Sequence, residues 1–316
     1  MQLDRLILGR MAKELGFVRD TLEKVCRLAD VLQFFESDNL LSEAIALKGG
    51  TAINLTIFNL PRLSVDVDLD YCRSIDREDM LADREIITNR ISKYMTANGY
   101  TLSQKSKNYH ALDSLVYEYV NCGGVKDNIK IEINYMIRCH VLPVQTREVK
   151  IPWSKEKLTV LSVAPLEIFA SKTVALLTRT APRDLYDMYN MVKYGLFDEN
   201  ELETLRKCAV FYSAIGAESA PEKFELSNVG KVSKQQIKRD LDPVLRKGEY
   251  FDLELVQQEV REYLADILIP TNEEEMFWRE FRNGSYRPEL ILGDTEEFRN
   301  IEKHPMALWK CRNKGK

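Results

Sequence analysis

Three aspartates alternate with apolar residues in the run Leu63-Ser64-Val65-Asp66-Val67-Asp68-Leu69-Asp70-Tyr71. On an extended strand, successive side chains point to opposite faces, so Val65, Val67, Leu69 and Tyr71 share one side and the three carboxylates share the other. Like charges on one face repel, and the face is favourable only if it is solvated or neutralised by cations. A hard divalent ion such as magnesium or manganese takes oxygen ligands and keeps several waters. Asp66 and Asp68, with triphosphate oxygens, would complete such a shell. The plain alternative for an isolated D-x-D-x-D is an exposed acidic face on a half-buried strand.

Gly49-Gly50-Thr51 lies just upstream, ahead of an apolar segment that reads as a helix. Glycines allow close backbone approach, N–H groups at a helix start favour a phosphate, and Thr51 adds a hydroxyl donor. Alone, G-G-T is also a turn joining strand to helix. A phosphate loop followed closely by an acidic strand is less often accidental. The spacing is not that of a Walker loop, since Lys48 precedes the glycines, and G-x-G-x-x-G is absent.

The elements that must position these residues can be read from periodicity. Residues 17–36 carry apolar residues at three- and four-residue steps, an amphipathic helix beside the core. Residues 45–58 read as strand, tight turn and helix, closed by Pro61. A polar helix over 77–98 precedes two strand-like runs, 115–120 and 129–135, which join through Asn121-Cys122-Gly123-Gly124 as a hairpin. After Pro165 the pattern turns helical, over 166–179 and 183–193, and remains mostly helical beyond 200. Two domains follow, 1–164 and 165–316.

Within 166–179, Leu166, Phe169, Ala170, Thr173, Val174 and Leu177 form the buried stripe, leaving Lys172 and Arg179 on one flank. Such a flank could reach a triphosphate, although a helix-surface lysine is usually only solvated. Asp184 and Asp187 share one face of the next helix, apart from the stripe of Leu185, Met188, Tyr189 and Val192. They could orient Lys172, accept a proton or position a nucleotide. Equally, Asp187 could pair with Arg183 at i,i+4, an interaction typically worth a few tenths of a kcal/mol. Arg62 and Ser64 either bind phosphate or anchor the strand.

The composition narrows the classes of partner. The 316 residues, 45% hydrophobic, suffice for a full core, and 30% are charged, with a net charge of −4. This balance offers no global attraction to nucleic acid, so an RNA partner requires a local basic patch. Lys105, Lys107, Lys126 and Lys130 near the hairpin are candidates for that patch, or simply scattered surface lysines. Six cysteines without a C-x-x-C pair, and three histidines, suggest neither zinc nor a disulfide framework. We read the cysteines, His110 and His140 as structural. The charged N-terminus and the absence of an apolar run of about 18 residues argue against a signal peptide or membrane span and favour the cytoplasm.

The ordered residues Leu47-Lys48-Gly49-Gly50-Thr51-Ala52, Arg62-x-Ser64-x-Asp66-x-Asp68-Leu69-Asp70, and Lys172 followed by Arg183-Asp184-Leu185-Tyr186-Asp187 resemble the AbiEii/AbiGii toxin family, within the DNA polymerase beta-like nucleotidyltransferases. The resemblance runs over about 40–195, and the ending His304-Pro305-Met306-Ala307-Leu308-Trp309 is also similar, while 200–295 match only in helical character. It implies an α+β fold, a mixed sheet flanked by helices with a mainly helical C-terminal half. It also implies the toxin of a toxin–antitoxin pair, of the phage abortive infection type, that transfers NMP from an NTP. Some relatives transfer to tRNA ends, and others are linked to GTP. By position, Asp66 and Asp68 match the metal carboxylates, Gly50 and Thr51 the phosphate loop, Lys172 the triphosphate contact and Asp187 the later aspartate. Glu132, on a neighbouring strand, matches the superfamily's third carboxylate. The rival activities are phosphoryl transfer to a protein acceptor and a non-catalytic nucleotide- or partner-binding module.

Overall fold

In the computed structural model, which describes residues 4–73, 75–154, 156–292 and 296–313, period-two segments pair into one eight-stranded mixed sheet. Its strands are β1 (Ile45–Leu47), β2 (Asp66–Tyr71), β3 (Thr101–Leu102), β4 (Lys107–Asn108), β5 (Leu112–Val120), β6 (Lys126–Asn134), β7 (Gln145–Glu148) and β8 (Thr159–Ser162). They lie in the order β3-β5-β6-β2-β1-β8-β7, with β4 also paired to β5. The acidic strand β2 is central, antiparallel to β1 and parallel to β6.

Alternation decides which face of β2 is buried. Val67, Leu69 and Tyr71 are buried with Ile129, Ile131 and Ile133 of β6. Each such aliphatic side chain contributes about 1.5–3 kcal/mol when removed from water. A slip of one residue would exchange this set for the carboxylates, so the register is strongly specified.

Helices α1 (Arg5–Leu15), α2 (Arg19–Ser37), α3 (Leu41–Ala44), α4 (Gly49–Ala52) and α5 (Arg77–Ala97) belong with the sheet. α2 and α5 meet through Phe34 and Tyr94, stacked at 4.0 Å. α5 is tied to the apolar face of the sheet, where the Tyr71 hydroxyl donates to Asp83 Oδ2 at 2.6 Å and the Arg84 guanidinium stands over the Tyr135 ring. α1 has no counterpart in the periodicity reading. Asp4 caps it, accepting from Leu6 N and Ile7 N.

The helical half comprises α6 (Pro165–Arg179), α7 (Pro182–Lys193), α8 (Glu199–Gly216), α9 (Lys234–Gln236), α10 (Leu253–Ile267), α11 (Asn272–Arg282), α12 (Glu289–Leu292) and α13 (Pro305–Asn313). α6 and α7 each begin with proline, whose missing N–H is harmless in a first turn. Capping boxes at Asp198 and Thr271 start α8 and α11. Trp278 of α11 is buried and its indole donates to Val210 O of α8 at 2.9 Å.

Contacts group the chain into two units. One holds the residues up to Arg138, Val144–Val163 and Pro243–Glu249, and the other holds Cys139–Pro143, Ala164–Asp242 and the chain from Tyr250 on. The returning segment Pro243–Glu249 is fastened by backbone bonds from Leu63 N to Val244 O and from Lys247 N to Gly16 O. Among the described residues, no helix is long and apolar enough to cross a membrane.

Candidate active site

The glycine turn that opens α4, just after β1, is shaped by what surrounds it. Gly49 has φ +66°, and a Cβ there would lie 2.7 Å from Asp68 Oδ2. A Cβ on Gly50 would meet Arg62 Nη2 at 2.8 Å and Ser64 Oγ at 3.0 Å. Both positions therefore require glycine for different reasons, left-handed backbone at the first and crowding at the second.

Thr51, Arg62 and Ser64 are buried and brace this turn. The Thr51 hydroxyl donates to the Asp66 carbonyl and lies 3.0 Å from Ser64 Oγ. Asn54 Nδ2 donates to Gly50 O at 2.7 Å, Asn54 Oδ1 accepts from Arg62 N at 3.3 Å, and Arg62 Nη1 donates to Leu63 O at 2.9 Å. Of the two readings of Arg62 and Ser64, these bonds display the anchoring one. The hydroxyl of Thr51, expected as a phosphate donor, is directed at the start of β2.

The three aspartates of β2 are not equivalent. Asp70 is buried, and Lys48 Nζ lies 2.5 Å from its Oδ1. Asp66 and Asp68 are half-buried on the same face. In the parallel ladder with β6, Asp66 stands opposite Lys130, Asp68 opposite Glu132 and Asp70 opposite Asn134. Lys130 Nζ contacts Glu132 Oε2 at 2.8 Å, with side chains 37% and 27% exposed. Desolvation opposes the Lys130 charge, but the hydrogen bond and charge of Glu132, together with Asp66 and Asp68, hold its ammonium above the ordinary lysine range. Glu132 thus stands beside Asp68 but is engaged by a lysine. Among the described residues, no three His, Cys, Asp or Glu side chains gather as a ready metal set.

The second unit contains a cluster of another kind. Lys172 is 7% exposed, and its Nζ lies 2.8 Å from Asp184 Oδ1 and 3.2 Å from Asp187 Oδ2. Asp184 also accepts from Arg179 Nε at 2.6 Å and Nη2 at 2.9 Å. Burial pushes the Asp184 carboxyl up, yet Lys172 and Arg179 together hold it below the usual carboxylate range. Lys172, read from periodicity as lying on a flank of α6 outside the buried stripe, is itself buried: the two aspartates of α7 face α6 and compensate the lysine, which is the orienting contact that one reading of them offered. Arg183 Nε donates to Asp240 O at 2.8 Å.

His140 is buried, its Nδ1 3.1 Å from Glu167 Oε1. Glu167 also accepts from Val141 N, Leu142 N and the Tyr212 hydroxyl. Burial raises the Glu167 carboxyl, but His140 and these donors bring it below the ordinary range.

The structure brings Gly49, Gly50, Thr51, Arg62, Ser64, Asp66, Asp68 and Glu132 together in the first unit, and Lys172, Asp184 and Asp187 together in the second. Sequence reasoning missed the partnership of Lys48 with Asp70 and that of Lys130 with Glu132. The second had a signal. In Lys126-Asp127-Asn128-Ile129-Lys130-Ile131-Glu132-Ile133-Asn134 the alternation places Lys130 and Glu132 on one face.

A family model described as nucleotidyl transferase AbiEii toxin, type IV TA system, matches residues 32–276. No curated protein matches the sequence significantly. Among solved structures the chain is similar to MenT4, a nucleotidyltransferase toxin from Mycobacterium tuberculosis H37Rv, with a TM-score of 0.63 and 18% identity. The alignment covers 87% of this chain and 93% of that one. At this identity the likeness is one of fold.

Proposed function

The chain belongs to the AbiEii nucleotidyltransferase toxin family, and from that premise we propose that it transfers a nucleoside monophosphate from a nucleoside triphosphate to an acceptor hydroxyl, with a divalent cation held by Asp66 and Asp68. The observation that carries this reading is the pair of half-buried carboxylates on one face of β2, against a glycine turn that has no room for a side chain beside Asp68.

The residues fit a hard cation. Asp66 and Asp68 offer oxygen ligands, while the charge of Asp70 is already met by Lys48. Magnesium or manganese there would orient and neutralise phosphate oxygens. The chain's own contribution is positioning: Gly49, Gly50 and Thr51 serve as the phosphate loop, the glycines let it close against Asp68 and Arg62, and Thr51, Ser64 and Arg62 keep it in register with β2. The acceptor hydroxyl attacks the α-phosphorus and pyrophosphate departs. Glu132 stands beside this pair as the reserve oxygen donor. Lys172, Asp184 and Asp187 are assigned to the same reaction on their motif.

We take tRNA as the leading acceptor and a cognate antitoxin protein as the regulating partner, both acting in the cytoplasm. Lys107 stands opposite Ser114, which stands opposite Glu132, in a row across the sheet that continues to Asp68. That row supports an acceptor path on which Lys107 meets backbone phosphates, with Lys126, opposite Val120 at the far end of β6, as a second and separate candidate.

The test is incubation with magnesium, total cellular RNA and each α-labelled nucleoside triphosphate, beside an Asp66→Ala/Asp68→Ala control. Label entering RNA only with intact carboxylates is the expected result. No label with any nucleotide, or equal label in the control, would overturn the reading. Release of a nucleoside diphosphate instead of pyrophosphate would identify γ-phosphoryl transfer.

A further inference from the structure

The two lysines that neutralise this acidic face are held differently. Lys48 meets a carboxylate whose side chain is only 5% exposed, so that pair is a fixed part of the fold. Lys130 meets Glu132 where both side chains are substantially exposed, and such a pair gains little from its contact and separates readily. Lys130 is also placed with purpose. It is the register partner of Asp66, its neighbour on the same face is the register partner of Asp68, and partners in a parallel ladder project to the same side.

We propose that Lys130 is a resident counter-cation of the acidic site, occupying Glu132 in the metal-free protein, so that a divalent ion enters by displacing it. The inference rests on the assignment of Asp66 and Asp68 as cation ligands. A lysine and a divalent ion drawn to the same three carboxylates repel each other, and at separations well inside a Debye length salt screens this repulsion little. Lys130 therefore weakens metal binding in the absence of nucleotide and relieves repulsion among Asp66, Asp68 and Glu132 while the site waits. When the ammonium swings out to solvent on its flexible stem, the Glu132 carboxylate is released beside Asp68 and becomes available as a third oxygen donor. The ion gains a ligand at the moment the lysine leaves. Lys130 is thus a residue that sets metal affinity, and it needs no contact with the reacting atoms.

The experiment is a titration of the full chain with Mn2+ alone, followed by the loss of the free-ion electron paramagnetic resonance signal, with thermal melting to confirm folding. Lys130→Met is expected to bind Mn2+ roughly tenfold more tightly than the native chain, since one repelling charge has gone. Lys130→Gln should behave alike and serves if the methionine variant folds poorly. Lys130→Arg, which keeps the charge, should stay within about twofold of the native value. In Lys130→Met/Glu132→Gln most of the gain should vanish, because the released ligand is missing. Unchanged or weaker Mn2+ binding in both Lys130→Met and Lys130→Gln would overturn the proposal, as would no binding by any of these proteins. Binding that survives Asp66→Asn/Asp68→Asn would instead overturn the metal assignment beneath it, so the two failures are distinguishable.

Discussion

The acidic strand of the sheet unit and the lysine-centred cluster of the helical unit use the same side chains to opposite ends. On β2, Asp66 and Asp68 are half-buried, on the face that Lys130 and Glu132 share. On α6 and α7, Lys172, Asp184 and Asp187 are buried and compensate one another. Burial therefore separates the two roles. A carboxylate near water can exchange partners at small cost, whereas one inside the protein depends on the partner it was folded against.

That contrast predicts which substitutions are felt in stability as well as in activity and which in activity alone. The largest stability effect belongs to Lys172→Ala, which leaves Asp184 and Asp187 buried without their lysine and should cost about 3–5 kcal/mol in denaturant unfolding. A loss near zero would mean that the cluster opens to solvent and the contrast is wrong. Asp66→Asn should behave in the opposite way, with nucleotide transfer falling at least about a hundredfold while stability changes by less than about 1 kcal/mol. Steady-state rates and a melt on the same sample check both halves.

Gly49→Ala lies between these extremes. The substitution meets left-handed backbone and the Asp68 carboxylate together, so it should cost about 1–2 kcal/mol and lower transfer by displacing Asp68. Full activity would break the link between the turn and the strand. Acid should weaken the helical unit in a defined window. Asp184 and Glu167 are held below the ordinary carboxylate range in the folded chain, so their stabilisation is present above about pH 4 and is lost as pH falls through their folded values. Asp184→Asn should flatten that acid limb in a pH series of unfolding curves. The smallest effect is expected for Lys107→Ala/Lys126→Ala, which should reduce the salt dependence of RNA binding by a slope of roughly one to two without altering nucleotide binding.

Much of the fold was legible before any coordinates. The alternation through Val65, Val67, Leu69 and Tyr71 announced β2 and its buried face, and the turn at Asn121-Cys122-Gly123-Gly124 announced the β5–β6 hairpin. Of the candidate site, the glycine pair at Gly49 and Gly50 and the shared face of Asp66 and Asp68 were legible, because each follows from spacing along one element. Burial was not legible. Periodicity left Lys172 on a flank because it describes only one helix at a time, and the aspartates that enclose the lysine lie on the next. The bond from the Thr51 hydroxyl to the Asp66 carbonyl was equally invisible, since it forms only when β2 folds against the turn. The return of Pro243–Glu249 to the first unit had no local signal, since it depends on bonds to Gly16 and Leu63 far away in the chain.

By itself, then, the sequence determined the longer strands and helices, the face on which the carboxylates fall and the turn that favours glycine, because each follows from spacing along one element. Only the tertiary structure decided which charges face water and which face one another. That choice depends on residues distant in sequence arriving at the same place: Lys48 reaches Asp70, Lys130 meets Glu132 opposite Asp66 and Asp68, and Lys172 is enclosed by Asp184 and Asp187. The physical reason is that the energy of a charge is set by its burial and its partners, and neither exists until the chain has folded.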